Sequence, residues 1–183
     1  MKRNIIFLDV DGVLNTIDNN QLHTFHNNDN DNNEKIYKII KKDEIGNTIE
    51  IFNNNLTFHK LHTGEGILNI DCIKRLKTII DNIHNVKIVM SSYWRLSAWK
   101  MRTLKHHLQN YGINPKIIID FTPRMYLSRT KEILAWKNHH FNINKWVAID
   151  DMYLNLKSKN YVQTDPLTGL TDNDVNKIIK LFD

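Results

Sequence analysis

From Asn69 onward the chain alternates between two hydrophobic periods, and that alternation limits it to very few folds. Apolar residues three and four apart predict helices over 70–83, 96–110, 129–139 and 172–182. Short runs of branched apolar residues predict strands over 86–90, 116–119, 145–149 and 161–163, and Ile5 to Leu8 adds one at the N-terminus. Gly112 suits a helix stop, and Thr171 with Asp174 resembles a capping box with Asp in place of Glu. Repeated strand–helix alternation predicts an α/β fold with a parallel sheet and helices on both faces. Ligands of such sheets bind at the carboxyl ends of the strands.

The polar residues at those ends carry the chemistry. Ile5-Ile6-Phe7-Leu8 runs into Asp9-Val10-Asp11-Gly12, so two carboxylates arrive two residues apart, followed by a glycine that lets the chain turn. In extended chain they would face one spot, where they repel unless a cation or a shared proton lies between them. Asp-x-Asp-Gly also occurs in Ca²⁺ loops, but those demand further oxygen ligands and a closing Glu. Val13, Leu14 and Asn15 follow here instead.

Val86 to Met90 ends in Ser91-Ser92-Tyr93-Trp94-Arg95, where a hydroxyl and exposed amides could bind an oxyanion or simply cap the next helix. Ser91 is the first candidate and Ser92 the alternative. Ser128-Arg129-Thr130-Lys131 opens a helix that offers two bases, Arg129 and Lys131, to neutralise an anion. Lys145 to Ile149 ends in a second acidic pair, Asp150-Asp151.

Four motifs in this order resemble those of the haloacid dehalogenase (HAD) superfamily of Mg²⁺-dependent phosphatases. Finer blocks extend the likeness: Ser91-Ser92-Tyr93-Trp94-Arg95; Arg129 with Glu132-Ile133 and Trp136; and Thr164-Asp165-Pro166-Leu167-Thr168-Gly169-Leu170-Thr171. Together they are similar to the HAD domain of Swiss army knife RNA-repair proteins, over residues 1–17 and 66–183. The resemblance implies a HAD-like (Rossmannoid) fold and a phosphohydrolase in which Asp9 is the nucleophile and Asp11 the general acid and base. It implies Mg²⁺ on Asp9, Asp11 (through its backbone carbonyl) and Asp150, with Asp151 holding a water or orienting the base. Ser91 or Ser92 and Lys131 or Arg129 would bind the phosphoryl oxygens. Most of the superfamily uses Lys in the third motif, whereas the similar family has Arg where Arg129 stands.

Residues 16–66 match none of these blocks. The Asn/Asp tract from Asn27 to Asn33 is too polar to pack and predicts a loop. Lys35 to Lys42 and Thr48 to His59 predict strands joined by turns at Gly46-Asn47 and Asn53-Asn54-Asn55. The expectation is one HAD-like domain over 1–183 with a small, irregular cap-type insertion over 16–66. A lid that small leaves an open cleft, which favours a large substrate such as a phosphorylated RNA or DNA end.

A net charge of +5 leans toward an anionic partner. Trp94 and Arg95, within a basic and aromatic stretch, are candidate substrate contacts. Trp99 is assigned to the core with Leu104, Leu108 and Tyr111. His23 with His26, and His59 with His62, lie in predicted loop or strand without cysteine partners, which argues against zinc. Cys72, the single cysteine, excludes an internal disulfide and reads as a packed thiol on a stripe of Ile70, Ile73, Leu76, Ile80 and Ile83. No apolar run approaches a membrane span, and the early first strand leaves no room for a signal peptide, so a cytoplasmic setting is expected.

Two other enzymes fit the same residues: a nucleotide or small-metabolite phosphatase and a protein phosphatase. A receiver-like module would lack Asp11, and a non-catalytic binding module would have lost a motif acid.

Overall fold

The computed structural model describes residues 2–16, 22–24, 37–42, 48–53, 68–125 and 128–183. They fall into two compact units, one of Met1–Thr16 with Gly66–Asp183 and one of Ile17–Glu65.

The larger unit is built on a five-stranded, all-parallel sheet. Its strands are β1 (Arg3–Leu8), β5 (Val86–Met90), β6 (Ile118–Phe121), β7 (Ile143–Asp150) and β8 (Tyr161–Gln163), in the order β6-β5-β1-β7-β8. Among the described residues four helices connect or follow them: α1 (Ile70–Asn82), α2 (Ala98–Asn110), α3 (Arg129–Asn138) and α4 (Asp172–Phe182). The strands carrying the first, second and fourth motifs are therefore direct neighbours, with β1 in the middle.

Period-two alternation along β1 divides the core. Ile6 and Leu8 join a large cluster with Leu76 of α1, Leu104 of α2 and Ile178 of α4. Ile5 and Phe7 point to the other face, against Ile133 and Trp136 of α3. There Phe7 meets Trp136 and Trp146 edge-on, with ring centroids 5.4 and 5.6 Å away. Each such side chain contributes about 1.5–3 kcal/mol by leaving water. Helices cover both faces, as predicted.

Local hydrogen bonds shift several boundaries. A short 3₁₀ helix, Tyr93–Leu96, precedes α2, because the Ser97 hydroxyl accepts from Lys100 N–H at 3.3 Å and starts a new helix. Pro115 and the Asn114 cap make another 3₁₀ turn, which delays β6 to Ile118. The Thr171–Asp174 capping box forms in full. Two packing assignments change. Ile70 is exposed, and the buried stripe of α1 is Cys72, Ile73, Leu76 and Ile79. Trp99 is 45% exposed rather than core, because the buried stripe of α2 runs through Met101, Leu104 and Leu108. A residue two before Met101 lies about 200° around the helix from it.

The second unit contains an antiparallel sheet of β2 (Leu22–Thr24), β3 (Tyr37–Lys42) and β4 (Thr48–Asn53), in that order. β3 and β4 lie within the segments predicted as strands, and β2 holds His23, whose surroundings read as loop or strand. The Asn/Asp tract, the turn at Gly46-Asn47, residues 54–55 and His26, His59 and His62 lie outside the described residues.

Candidate active site

The ladder of the sheet continues one bond beyond β1 on each side: Ser91 N–H donates to the Leu8 carbonyl at 2.9 Å and Asp9 N–H to the Ile149 carbonyl at 3.0 Å. That pins three strand ends together and brings Asp9, Ser91 and Asp150 to one place. All three are buried.

Carboxylate oxygens of Asp9, Asp150 and Asp151 lie within 4.8 Å of one another. Arg129, at the first turn of α3, enters the group. Its Nη1 sits 2.6 Å from Asp9 Oδ2 and 2.8 Å from Asp150 Oδ2, and also donates to the Ser91 carbonyl. Asp9 Oδ1 accepts from Val10 N–H at 2.7 Å, and the Ser92 hydroxyl bonds its carboxylate too. Asp150 Oδ1 accepts from Met152 N–H at 3.0 Å. Burial raises the pKa of Asp9 against the pull of Arg129. It raises Asp150 further, to about 7, with Asp9 adding repulsion. Burial alone would lower Arg129, but Asp9 and Asp150 outweigh it, so its pKa rises and the cation persists.

Three hard oxygen donors converging on one point match a small divalent cation. Octahedral coordination at about 2.1 Å needs neighbouring ligand oxygens about 3 Å apart, within reach of this group. Gly12 makes the arrangement possible. Its φ is +74°, and a Cβ there would stand 2.4 Å from Asp151 Cγ.

The expected partnership of Asp9 and Asp11 takes a different form. Asp11 is exposed, and its carboxylate is not one of the converging three. Oδ1 of Asp11 accepts from Trp94 Nε1 at 2.9 Å and from Asn15 Nδ2 at 3.0 Å. The chain has left strand geometry by then: Gly12 N–H donates to the Asn15 carbonyl at 2.7 Å, closing a tight turn that gives Asp11 its own direction.

The structure places the other candidate residues as follows. Arg129, not Lys131, meets the carboxylates; Lys131 is exposed, and its backbone N–H caps onto Ser128. Arg129 is held by Asp9 and Asp150 rather than by Asp151. Both serines reach the site, with separate tasks. Ser92 engages Asp9 and caps the 3₁₀ turn through Trp94 N–H, while Ser91 Oγ is the buried side-chain polar atom left without a partner among the described residues. Trp94 and Arg95 are not available as substrate contacts. The Trp94 ring is fully buried. The Arg95 guanidinium is spent on the Thr122 and Ser92 carbonyls and on Glu132, at 3.1, 2.7 and 2.7 Å. The exposed aromatic is their neighbour Tyr93, 70% exposed, with its ring 5.8 Å from the Arg129 guanidinium.

Residues that the sequence offered only as part of the family resemblance, with no role assigned, support the first motif from behind. Thr164 Oγ1 donates to the Gly12 carbonyl at 2.8 Å and Leu170 N–H to the Val13 carbonyl at 3.0 Å. Gly169, at φ +64°, lies so close that a Cβ would stand 2.7 Å from the Val13 carbonyl oxygen. The block from Thr164 to Thr171 thus braces the turn that carries Asp9 to Gly12. The available signal was the likeness of this block to the family's C-terminal signature. Cys72 packs against the same block, Sγ 3.6 Å from the Leu170 carbonyl, and burial raises its pKa, which suits a packed thiol.

A family model described as the HAD domain in Swiss Army Knife RNA repair proteins matches residues 5–175. No curated protein and no solved structure matches the chain significantly.

Proposed function

The chain belongs to the HAD domain family of the Swiss Army Knife RNA repair proteins, and on that premise we propose that it is a Mg²⁺-dependent phosphohydrolase acting on phosphorylated nucleic-acid ends. One observation carries the reading. A buried aspartate, Asp9, is paired with Arg129 and gathered with Asp150 and Asp151, beside the unpartnered hydroxyl of Ser91.

In this reading Asp9 attacks phosphorus in line and becomes an aspartyl phosphate, so that one difficult displacement is split into two. Asp11 gives its proton to the leaving oxygen, then takes one from the water that releases phosphate. The Ser91 hydroxyl and Arg129 bind equatorial oxygens, where charge gathers in a loose transition state. Asp9, Asp150, Asp151 and the Asp11 carbonyl would hold Mg²⁺. When bound, the ion offsets repulsion between the carboxylates and the phosphate.

The nucleic-acid substrate draws support from the net charge of +5 and from Tyr93, an exposed ring beside the phosphate-binding arginine on which a base can stack. Among the described residues no helix is long and apolar enough to cross a membrane. The buried free thiol of Cys72 is in keeping with a cytoplasmic setting.

The test is phosphate release, with Mg²⁺, from 3′- and 5′-phosphorylated RNA and DNA oligonucleotides beside nucleotides and p-nitrophenyl phosphate. Asp9→Asn serves as the control. Release mainly from oligonucleotide ends supports the reading. Activity confined to small phosphates leaves a phosphatase and removes the nucleic-acid substrate. Undiminished activity in the control sinks the mechanism.

A further inference from the structure

Trp94 is a large, fully buried side chain that also carries a directed polar bond. Its indole N–H donates to Oδ1 of Asp11 at 2.9 Å, and the Asn15 amide donates to the same oxygen at 3.0 Å. Neither donor meets Oδ2. An indole N–H can only donate and does not titrate in this range, so Trp94 cannot carry a proton. It can decide which oxygen of Asp11 does.

The ring is fixed from several sides. Trp94 N–H bonds the Ser92 hydroxyl, its carbonyl accepts from Ser97 N–H at 3.1 Å, and the Lys100 ammonium lies 5.4 Å above the ring. Asn15 is held through its backbone, its N–H on the Val10 carbonyl and its carbonyl on Gly12 N–H. Two rigid donors therefore converge on one oxygen of an exposed carboxyl group.

Resting on the assignment of Asp11 as general acid and base, we propose that Trp94 and Asn15 are a positioning pair that selects Oδ2 of Asp11 as the proton-carrying oxygen. In the protonated acid, Oδ1 is the carbonyl oxygen that accepts both N–H groups and Oδ2 bears the hydrogen. As Asp9 bonds to phosphorus and the ester bond breaks, the Oδ2 proton passes to the leaving oxygen. In the second step a water oxygen bonds to phosphorus, the bond from phosphorus to Asp9 breaks, and Oδ2 takes the water's proton. Without the pair, Asp11 rotates about its Cβ–Cγ bond and its proton is misdirected.

The experiment compares kcat/KM for Trp94→Phe, Asn15→Leu and Asp11→Asn on phosphate esters of graded leaving-group basicity, from p-nitrophenyl through phenyl to alkyl phosphate. This constant reports the steps up to leaving-group departure. A nitrophenolate leaves with little protonation, whereas an alkoxide requires it. General acid catalysis is worth about 10²–10⁴-fold, of which misalignment should forfeit part. The expected loss for Trp94→Phe and Asn15→Leu is about tenfold on the alkyl ester and under about twofold on the p-nitrophenyl ester, with Asp11→Asn showing the same slope more steeply. Equal losses on all esters in both variants, with a steep slope in Asp11→Asn, would overturn the positioning role alone. A flat profile in Asp11→Asn would overturn the acid assignment and this inference together. Asn15 is only partly buried, so Asn15→Leu decides the matter if Trp94→Phe does not fold.

Discussion

Asp9 and Asp11 stand two residues apart, yet their surroundings have little in common. Asp9 is buried, tied to a guanidinium it shares with Asp150, and raised in pKa by the loss of water. Asp11 is exposed and held by two neutral N–H donors. A nucleophile must stay ionised and fixed; burial fixes Asp9 but raises its pKa, and the Arg129 cation opposes that rise. A proton carrier must reach solvent and keep one oxygen uncommitted. Around Asp9, then, stability and chemistry meet in one shared cation, Arg129; around Asp11 they separate.

The hardest test of that contrast is Asp9→Asn. It should remove turnover by about 10³-fold or more, while Arg129 keeps Asp150 as a partner and the fold survives; a thermal melt beside the phosphatase assay reads both. Arg129→Met should strike both properties at once. Activity should fall by at least about 10²-fold, and two buried carboxylates left without a cation should cost about 3 kcal/mol in denaturant unfolding. An unchanged midpoint would mean that the buried pairing contributes nothing to stability. Gly12→Ala drives a methyl group onto Asp151 and should weaken Mg²⁺ binding about tenfold by titration calorimetry.

Proton linkage gives a milder version of the same contrast. In metal-free protein the folded pKa of Asp150, about 7, lies well above the ordinary carboxylate range, so the native state binds the proton more tightly than the unfolded chain does. Melting temperature should therefore rise as pH falls from 8 through 7, and Asp150→Asn should lose that rise. Added Mg²⁺ should stabilise most at the alkaline end. The smallest effect belongs to an exposed pair, Arg75 with Asp172 at 2.9 Å, which links α1 to the first turn of α4. This pairing lowers the Asp172 pKa, so what it contributes is present above the unfolded value and disappears as pH falls through the folded one. Asp172→Asn should shift the melting temperature by no more than about one degree at neutral pH, since solvent screens such pairs.

The sheet and the strand ends were legible because each is written locally. A branched apolar run stops at a polar residue, and strand–helix alternation leaves one kind of topology. Which base enters the site was not legible. Arg129 and Lys131 are two residues apart on one helix, and only packing shows that the first turns inward. Trp94 and Tyr93 were harder still. A 3₁₀ turn of four residues has no period to read, so the sequence did not show that Trp94 is buried and Tyr93 exposed. The same turn shifted the start of α2, whereas Trp99 was misplaced by its phase, about 200° around the helix from buried Met101. Asp11 departed from strand geometry because the bond from Gly12 N–H to the Asn15 carbonyl begins the turn within the motif itself.

The brace from Thr164 to Leu170 also bears on when this molecule can work during synthesis. β1 emerges first, but it is the central strand, and its neighbours β5 and β7 are made much later. The hydroxyl of Thr164 that holds Gly12 in place comes 152 residues after it. Contacts at that separation form late, after long loops have closed. A nascent chain halted at residue 150 would expose an unpaired β8 edge on β7 and an unbraced first motif. Phosphatase activity should therefore be all-or-none in chain length, arriving only once the segment through Leu170 has folded back onto the N-terminal turn.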